Sequence, residues 1–250
     1  RGKIMIQKQL AEGFEALGIR SGDTLLVHSS LKSLEGASPA DVIEALLALL
    51  GPEGTLMLPT LSYLYANRDN PVFDVRRTPS NVGAIPEYFR TEYPVLRSLC
   101  PTHSCAAVGL RAEYLTGSHH LDETPCGPNS PFSRLRDAGG KVLFIGCGTR
   151  PNTSMHAVEE LSRPPYLFGP PVRYQMTDAA GRTYTAICMS HGFAGVSQRY
   201  ERLVPLLPEG GYAAGTVHTA LCELIDASAM WRTADAKYRA DPLYFVDTAE

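Results

Sequence analysis

Helix and strand signals alternate through the first sixty residues, and that alternation constrains the fold more than any other feature. Ile6, Leu10, Phe14 and Leu17 recur near helical spacing across residues 3–17, and Gly18 ends the pattern. Residues 23–28 (DTLLVH) form a short apolar run of strand length. A second helix is expected over 41–50, with Ser38 placed to cap it and Pro39 in its first turn. After Gly51, Pro52 and Gly54 comes another buried-strand run, 55–59 (TLMLP). Helix–strand–helix–strand predicts an α/β sheet covered by helices.

The remaining chain reads less regularly. Residues 63–79 are polar and irregular, a loop. A helix begins over 82–88, a strand is expected at 106–108, and 121–131, rich in Pro, Gly and Asn, is loop again. Residues 132–138 read as helix, 141–145 (KVLFI) as a strand ending at Gly146, and 152–161 as helix. Residues 174–177 and 183–189 flank a turn at 178–181 and predict a hairpin. The segments 196–207 and 216–230 are expected to be helical. No internal repeat, low-complexity tract or clean linker is visible, so one domain over 1–250 is the expectation.

Composition narrows the class. The 250 residues are 44% hydrophobic and 20% charged, an ordinary globular balance rather than a disordered one. The net charge is −3 with no basic run, which argues against a nucleic-acid partner. No apolar run approaches the ~18 residues of a membrane span, and the first ten residues carry no signal-peptide core. A cytoplasmic protein, monomer or homodimer, is therefore expected. The six cysteines form no CxxC pair and fit reduced thiols. Cys188 and His191 are three apart, but no second pair of that kind follows, so no metal is expected.

Four stretches can carry chemistry. In residues 146–160 (GCGTRPNTSMHAVEE) a strand ends in a glycine-rich turn and a helix starts near Asn152 or Thr153. Ligands of open α/β sheets bind at such carboxyl ends of strands. His156 lies in the first turns of this helix, with Glu159 and Glu160 three and four residues on, either able to share its face. A carboxylate beside an imidazole fixes its tautomer and stabilises the imidazolium. Thr153, one turn earlier, can meet a developing oxyanion with its hydroxyl. A His–Glu pair on a helix is also commonly inert. The second stretch is 27–31 (VHSSL), where Ser29 and Ser30 can meet a phosphate or simply form a polar turn, and His28 can be a core-edge residue. The third, 97–109 (RSLCPTHSCAAVG), offers Arg97 as a phosphate clamp and His103 and Ser104 as pocket walls, or a solvated arginine and a turn. The fourth, 124–135 (TPCGPNSPFSRL), is a proline-stiffened loop carrying Phe132, with Ser130 as a helix cap.

Together and in this order, VHSSL, RSxxPTHSxAAxG, TPCGxxSPFxRL and NTxxHxxE (152–159) resemble the aminoglycoside 3-N-acetyltransferase family, over about residues 4 to 245. The resemblance implies an α/β fold with a mixed central sheet flanked by helices, distinct from the common GNAT acetyltransferase superfamily. It implies acetyl-CoA as co-substrate, His156 as general base, direct amine attack on the thioester, Glu159 orienting His156, and Thr153 near the thioester. Ser29, Ser30, Leu31, Arg97, Pro101, Thr102, His103, Ser104 and Phe132 would then meet the cofactor. The small-molecule amine would fall to Tyr63, Asp178 and His191.

The sequence departs from the family where the acceptor should sit. Resistance enzymes of this family tend to place acids after the catalytic helix, whereas residues 161–193 hold one, Asp178, against Arg163, Arg173 and Arg182. Tyr166, Phe168, Tyr174 and His191 suggest a more aromatic, less anionic pocket. A less cationic amine, such as an amino sugar or a biosynthetic intermediate bearing a carboxylate or phosphonate, is the second expectation. A CoA-binding module without turnover is a third, from another class.

Overall fold

The computed structural model describes residues 2–248. In chain order its helices are α1 (Gly2–Leu17), α2 (Pro39–Leu50), α3 (Ala84–Glu92), α4 (Ala112–Thr116), α5 (Pro131–Asp137), α6 (Ser154–Ser162) and α7 (Ala227–Ala240). Its strands are β1 (Thr24–Ser29), β2 (Thr55–Pro59), β3 (Val72–Asp74), β4 (Leu96–Arg97), β5 (Cys105–Gly109), β6 (Lys141–Ile145), β7 (Phe168–Thr177), β8 (Thr183–His191), β9 (Val196–Gln198), β10 (Tyr212–Val217), β11 (Ala220–Asp226) and β12 (Val246–Thr248).

Seven strands form the central sheet in the order β10-β11-β6-β1-β2-β5-β4. The middle three, β6, β1 and β2, run parallel, and the outer pairings are antiparallel, so the sheet is mixed. Successive side chains of a strand point to opposite faces, and both faces here are buried. Leu25 and Val27 join Leu56, Leu58, Leu143 and Ile145 beneath α1, α2 and α3. Leu26 joins Met57, Val142 and Phe144 beneath α4 to α7. That is why β1 and β2 read as continuous apolar runs rather than alternating ones. Helix α2 starts as its sequence predicts: Ser38 Oγ accepts from the Asp41 amide at 3.2 Å, and Asp41 accepts from the Ser38 amide at 2.9 Å, a reciprocal capping box.

Two smaller sheets complete the structure. The expected hairpin forms as β7 and β8, longer than its sequence signal, with β3 added parallel to β7. A two-stranded pairing joins β9 to β12. The expectation of helix over 196–207 is corrected to β9 followed by a 3-10 turn, Tyr200–Leu206. The expectation over 216–230 is corrected more deeply. Residues 212–226 are the β10–β11 hairpin, and helix starts only at Ala227. Ala220 and Cys222 are buried while Leu221 between them is exposed, a strand alternation, and His218 takes a positive φ of 55° at the turn. Pairing of β11 with β6 decides the matter, because it places Cys222 and Leu224 in the core beneath α1.

Candidate active site

The cavity opens where the parallel strands end. β1 delivers His28 and Ser29 at its carboxyl end, and β2 delivers Pro59. After β6 the chain turns at Gly146, with φ 61°, where a Cβ would fall 1.9 Å from Ser33 Oγ, so only glycine fits. The turn continues through Cys147, Arg150 and Pro151 into α6 and presents Thr153 and His156. Thr153 is the N-cap of α6 yet makes no side-chain capping bond. Thr102 and His103 come from the loop before β5, Ser190 and His191 from the end of β8, and Phe193 and Tyr200 from beyond it. The enclosed volume is about 810 Å³.

His156 is held by a buried carboxylate and a phenol. Its Nδ1 lies 3.2 Å from Glu159 Oε2 and 2.8 Å from the Tyr200 hydroxyl. Tyr200 donates to the same Glu159 oxygen at 2.8 Å, and Tyr166 donates to the other at 2.9 Å. Because the Tyr200 proton is committed to Glu159, the proton facing both acceptors at Nδ1 belongs to the imidazole. The free lone pair is then on Nε2. Burial would raise the Glu159 carboxyl, but hydrogen bonds from His156, Tyr200 and Tyr166 outweigh it and hold it below the usual carboxylate range. Glu159 is therefore an anion beneath His156 with no solvent exposure.

Glu160, the other carboxylate that the spacing left open, faces away. It accepts from the Cys126 amide and from Thr124, and pairs with His191 Nε2 at 2.8 Å. Burial pushes its pKa up to about 7. His191 and His103 are both held well below the ordinary imidazole value, first by burial and then by neighbouring histidines. His28 stacks on Phe144, and burial lowers its pKa to about 3. Burial also raises the Cys147 thiol to about 11, which leaves it protonated and a poor nucleophile near neutral pH.

The fold brings together nine of the residues named from sequence at the cavity wall: His28, Ser29, Tyr63, Thr102, His103, Thr153, His156, Tyr174 and His191. Glu159 stands directly behind His156. The others are placed elsewhere. Arg97 is a structural residue rather than a clamp facing the cavity: its guanidinium donates to the carbonyls of Thr60, Val75 and Thr78 and to the hydroxyls of Thr60, Ser62 and Ser104. Ser104 is fully buried and bonded to Thr60. Phe132 is fully buried in the core beneath α5. Ser30 donates its amide to Ile145 as the chain leaves β1, Leu31 packs against the core, and Pro101 is buried beside β5; none of the three lines the cavity. Asp178 sits at the distant β7–β8 turn, accepting from the Ala180 and Arg182 amides and from the Arg182 side chain.

Sequence reasoning did not single out Tyr200, Asn67, Arg68, Arg150 or Phe193, all of which line the cavity. Tyr200 is 44 residues from His156, and no local pattern marks it. Among the described residues, no helix is long and apolar enough to cross a membrane.

Known proteins resemble this arrangement. The family model for aminoglycoside 3-N-acetyltransferase matches residues 26–239. Aminoglycoside N(3)-acetyltransferase IV of Salmonella sp is 38% identical over 154 residues, covering 60% of this chain and 57% of that protein. Aminoglycoside N(3)-acetyltransferase VII of Streptomyces paromomycinus is 32% identical over 176 residues, covering 63% and 61%. The chain thus spans about three fifths of the length of these curated relatives. A histidine-to-alanine mutant of aminoglycoside acetyltransferase AAC(3)-IVa in complex with gentamicin superposes with a TM-score of 0.81 at 30% identity, covering 96% of this chain and 90% of that one. AAC-IIIb in binary complex with CoASH superposes with a TM-score of 0.81 at 27% identity, covering 94% and 96%. The mixed sheet with its parallel centre is the fold these solved enzymes share, and with the family match running from β1 into α7, the chain belongs to the aminoglycoside 3-N-acetyltransferase family.

Proposed function

We propose that this chain transfers an acetyl group from acetyl-CoA to an amine of an aminoglycoside, at the 3-N position that the family name carries. The observation that carries the reading is the state of His156: Nδ1–H held by Glu159 and Tyr200, Nε2 free at a cavity wall. An alkyl ammonium with a pKa of roughly 10 must lose a proton before it can attack. His156 Nε2 takes that proton, and the anionic Glu159 stabilises the imidazolium that results. The amine nitrogen bonds to the thioester carbonyl carbon, the carbon–sulfur bond breaks, the nitrogen's second proton leaves on the CoA thiolate, and His156 returns the first to solvent. Thr153 lines the same cavity with a hydroxyl not spent on capping α6, and in this reading it donates to the oxyanion. The high pKa of Cys147 favours this direct route over an acyl-cysteine. Ser29, whose hydroxyl is buried without a protein partner among the described residues, and Thr102 supply polar contacts for the CoA arm.

One observation favours a second acceptor. Among the described residues the cavity lining holds two arginines, Arg68 and Arg150, and no carboxylate. A polycation gains nothing from such a wall, whereas an amine that also bears a carboxylate or phosphonate does. The experiment is thiol release from acetyl-CoA with a panel of aminoglycosides, amino sugars and carboxylate-bearing amines, run beside His156→Ala. Turnover with an aminoglycoside that falls about 10²-fold or more in the variant supports the first reading. Turnover confined to the anion-bearing amines moves the acceptor to the second. Equal turnover by both proteins on a good acceptor removes His156 from the mechanism.

A further inference from the structure

Three histidines distant in sequence converge on the cavity. The rings of His103 and His191 have centroids 4.9 Å apart, those of His156 and His191 5.1 Å, and those of His103 and His156 5.7 Å. One ring nitrogen from each lies within 4.8 Å of one from each of the others. In every ring one nitrogen is already occupied by the protein. His103 Nδ1 meets Thr102 Oγ1 at 2.9 Å, His156 Nδ1 meets Tyr200 and Glu159, and His191 Nε2 meets Glu160 Oε1 at 2.8 Å. This leaves His103 Nε2, His156 Nε2 and His191 Nδ1. The last is buried with no hydrogen-bond partner among the described residues.

Imidazoles whose far nitrogen is tied to a carboxylate or hydroxyl are the arrangement in which histidine ligates a transition metal, since the outer partner fixes the tautomer and raises the basicity of the ligand. Two such outer partners here are the buried carboxylates Glu159 and Glu160. We propose that His103, His156 and His191 form a binding site for a divalent ion of the zinc class, its remaining coordination position open to the cavity, and that occupancy stops acyl transfer by capping His156 Nε2. The inhibitory half rests on the role of His156 proposed above; the binding half does not. Imidazole-only ligation selects zinc, cobalt, nickel or copper over magnesium or calcium. Zinc–nitrogen bonds of roughly 2.0–2.1 Å require three ligand nitrogens about 3.4 Å apart in a tetrahedral site, and one nitrogen of each ring already lies within 4.8 Å of one from each of the others. The neighbouring set of Cys126, Glu160 and His191 is the weaker candidate, because burial holds the Cys126 thiol well above its ordinary pKa and Glu160 is already bonded by Thr124, Cys126 and His191.

The test uses the metal-stripped protein titrated with cobalt(II) and, separately, zinc. The expected result is one equivalent bound, with a visible cobalt absorption band of four-coordinate geometry. The band should be lost, and zinc affinity reduced at least about tenfold, in both His103→Gln and His191→Gln. X-ray absorption of the zinc-loaded wild type, which needs no variant, should show about three imidazole nitrogens near ~2.0–2.1 Å. Sulfur scattering near ~2.3 Å, or a band that survives in both variants, overturns the site. In the activity arm, one equivalent of zinc should abolish turnover and a chelator should restore it. Three-nitrogen binding with undiminished turnover would leave the metal site standing, overturn the inhibitory claim and remove His156 as the base.

Discussion

His156 and Glu159 lie one turn apart on α6, the imidazole Nδ1 3.2 Å from a carboxylate that has no contact with solvent. The helix supplies the spacing, but the burial comes from Tyr166 and Tyr200, which cover Glu159 and bond to both of its oxygens. A charge so enclosed persists because three donors replace its water.

Glu159→Gln should lower kcat by on the order of 10²-fold, because a neutral amide no longer stabilises the imidazolium. Tyr200→Phe should cost somewhat less, about 10- to 50-fold, since it removes the hydroxyl's bonds to the Glu159 carboxylate and to His156 Nδ1. In both, the KM for acetyl-CoA should change little. Steady-state kinetics on folded protein check this. A KM effect without a kcat effect would assign the pair to binding instead.

Arg97→Ala should destabilise the fold without touching the chemistry. It strips three carbonyls and three hydroxyls of a buried donor, at a cost on the order of 3 kcal/mol. For a chain of this size that is roughly 6–12 °C in Tm. A calorimetric scan reads it. A wild-type Tm with a raised KM for acetyl-CoA would instead put Arg97 on the cofactor.

Arg68→Glu reverses a charge at the cavity wall. For a cationic acceptor the KM should fall several-fold at low salt, and the gain should fade as ionic strength rises. For an amine bearing a carboxylate the KM should rise. Salt-independent changes, or changes of the same sign for both acceptors, would rule out an electrostatic role.

Stability should fall as pH drops from 7 to 5. Burial lowers His28 to about 3 and His119 to about 4, and holds His103 and His191 well below their ordinary value. Below the ordinary imidazole value of 6.5 the unfolded chain binds these protons and the folded chain does not, so acid favours unfolding. Glu160 works in the opposite sense: raised to about 7, it holds a proton in the folded state down to the usual carboxylate range near 4.5. Asp122, which burial also raises, works in the same sense as Glu160, and four histidines against these two carboxyls leave a net loss. The urea midpoint should drop across this window, and less steeply in His28→Gln. A midpoint that rises toward pH 5 would contradict the burial of these rings.

Elements whose signals are local could be read along the chain. The apolar runs at 24–29, 55–59 and 141–145 are strands because the sheet is covered on both faces, Ser38 and Pro39 start α2, and the spacing of His156 and Glu159 on one helix was legible before any fold was known. The order of motifs also pointed to the family. The rest came from packing between distant segments. Residues 216–226 became a hairpin because β6 offered an edge to pair with, a partner no local window contains. Arg97 turned inward because three carbonyls waited for it there, and Asp178 remained at a hairpin tip. Tyr200 met His156 across 44 residues, and His103, His156 and His191 met across 88, because the ends of parallel strands collect loops from the whole chain at one point. Local periodicity reports which face of an element is apolar; it does not report which distant side chains that face will meet.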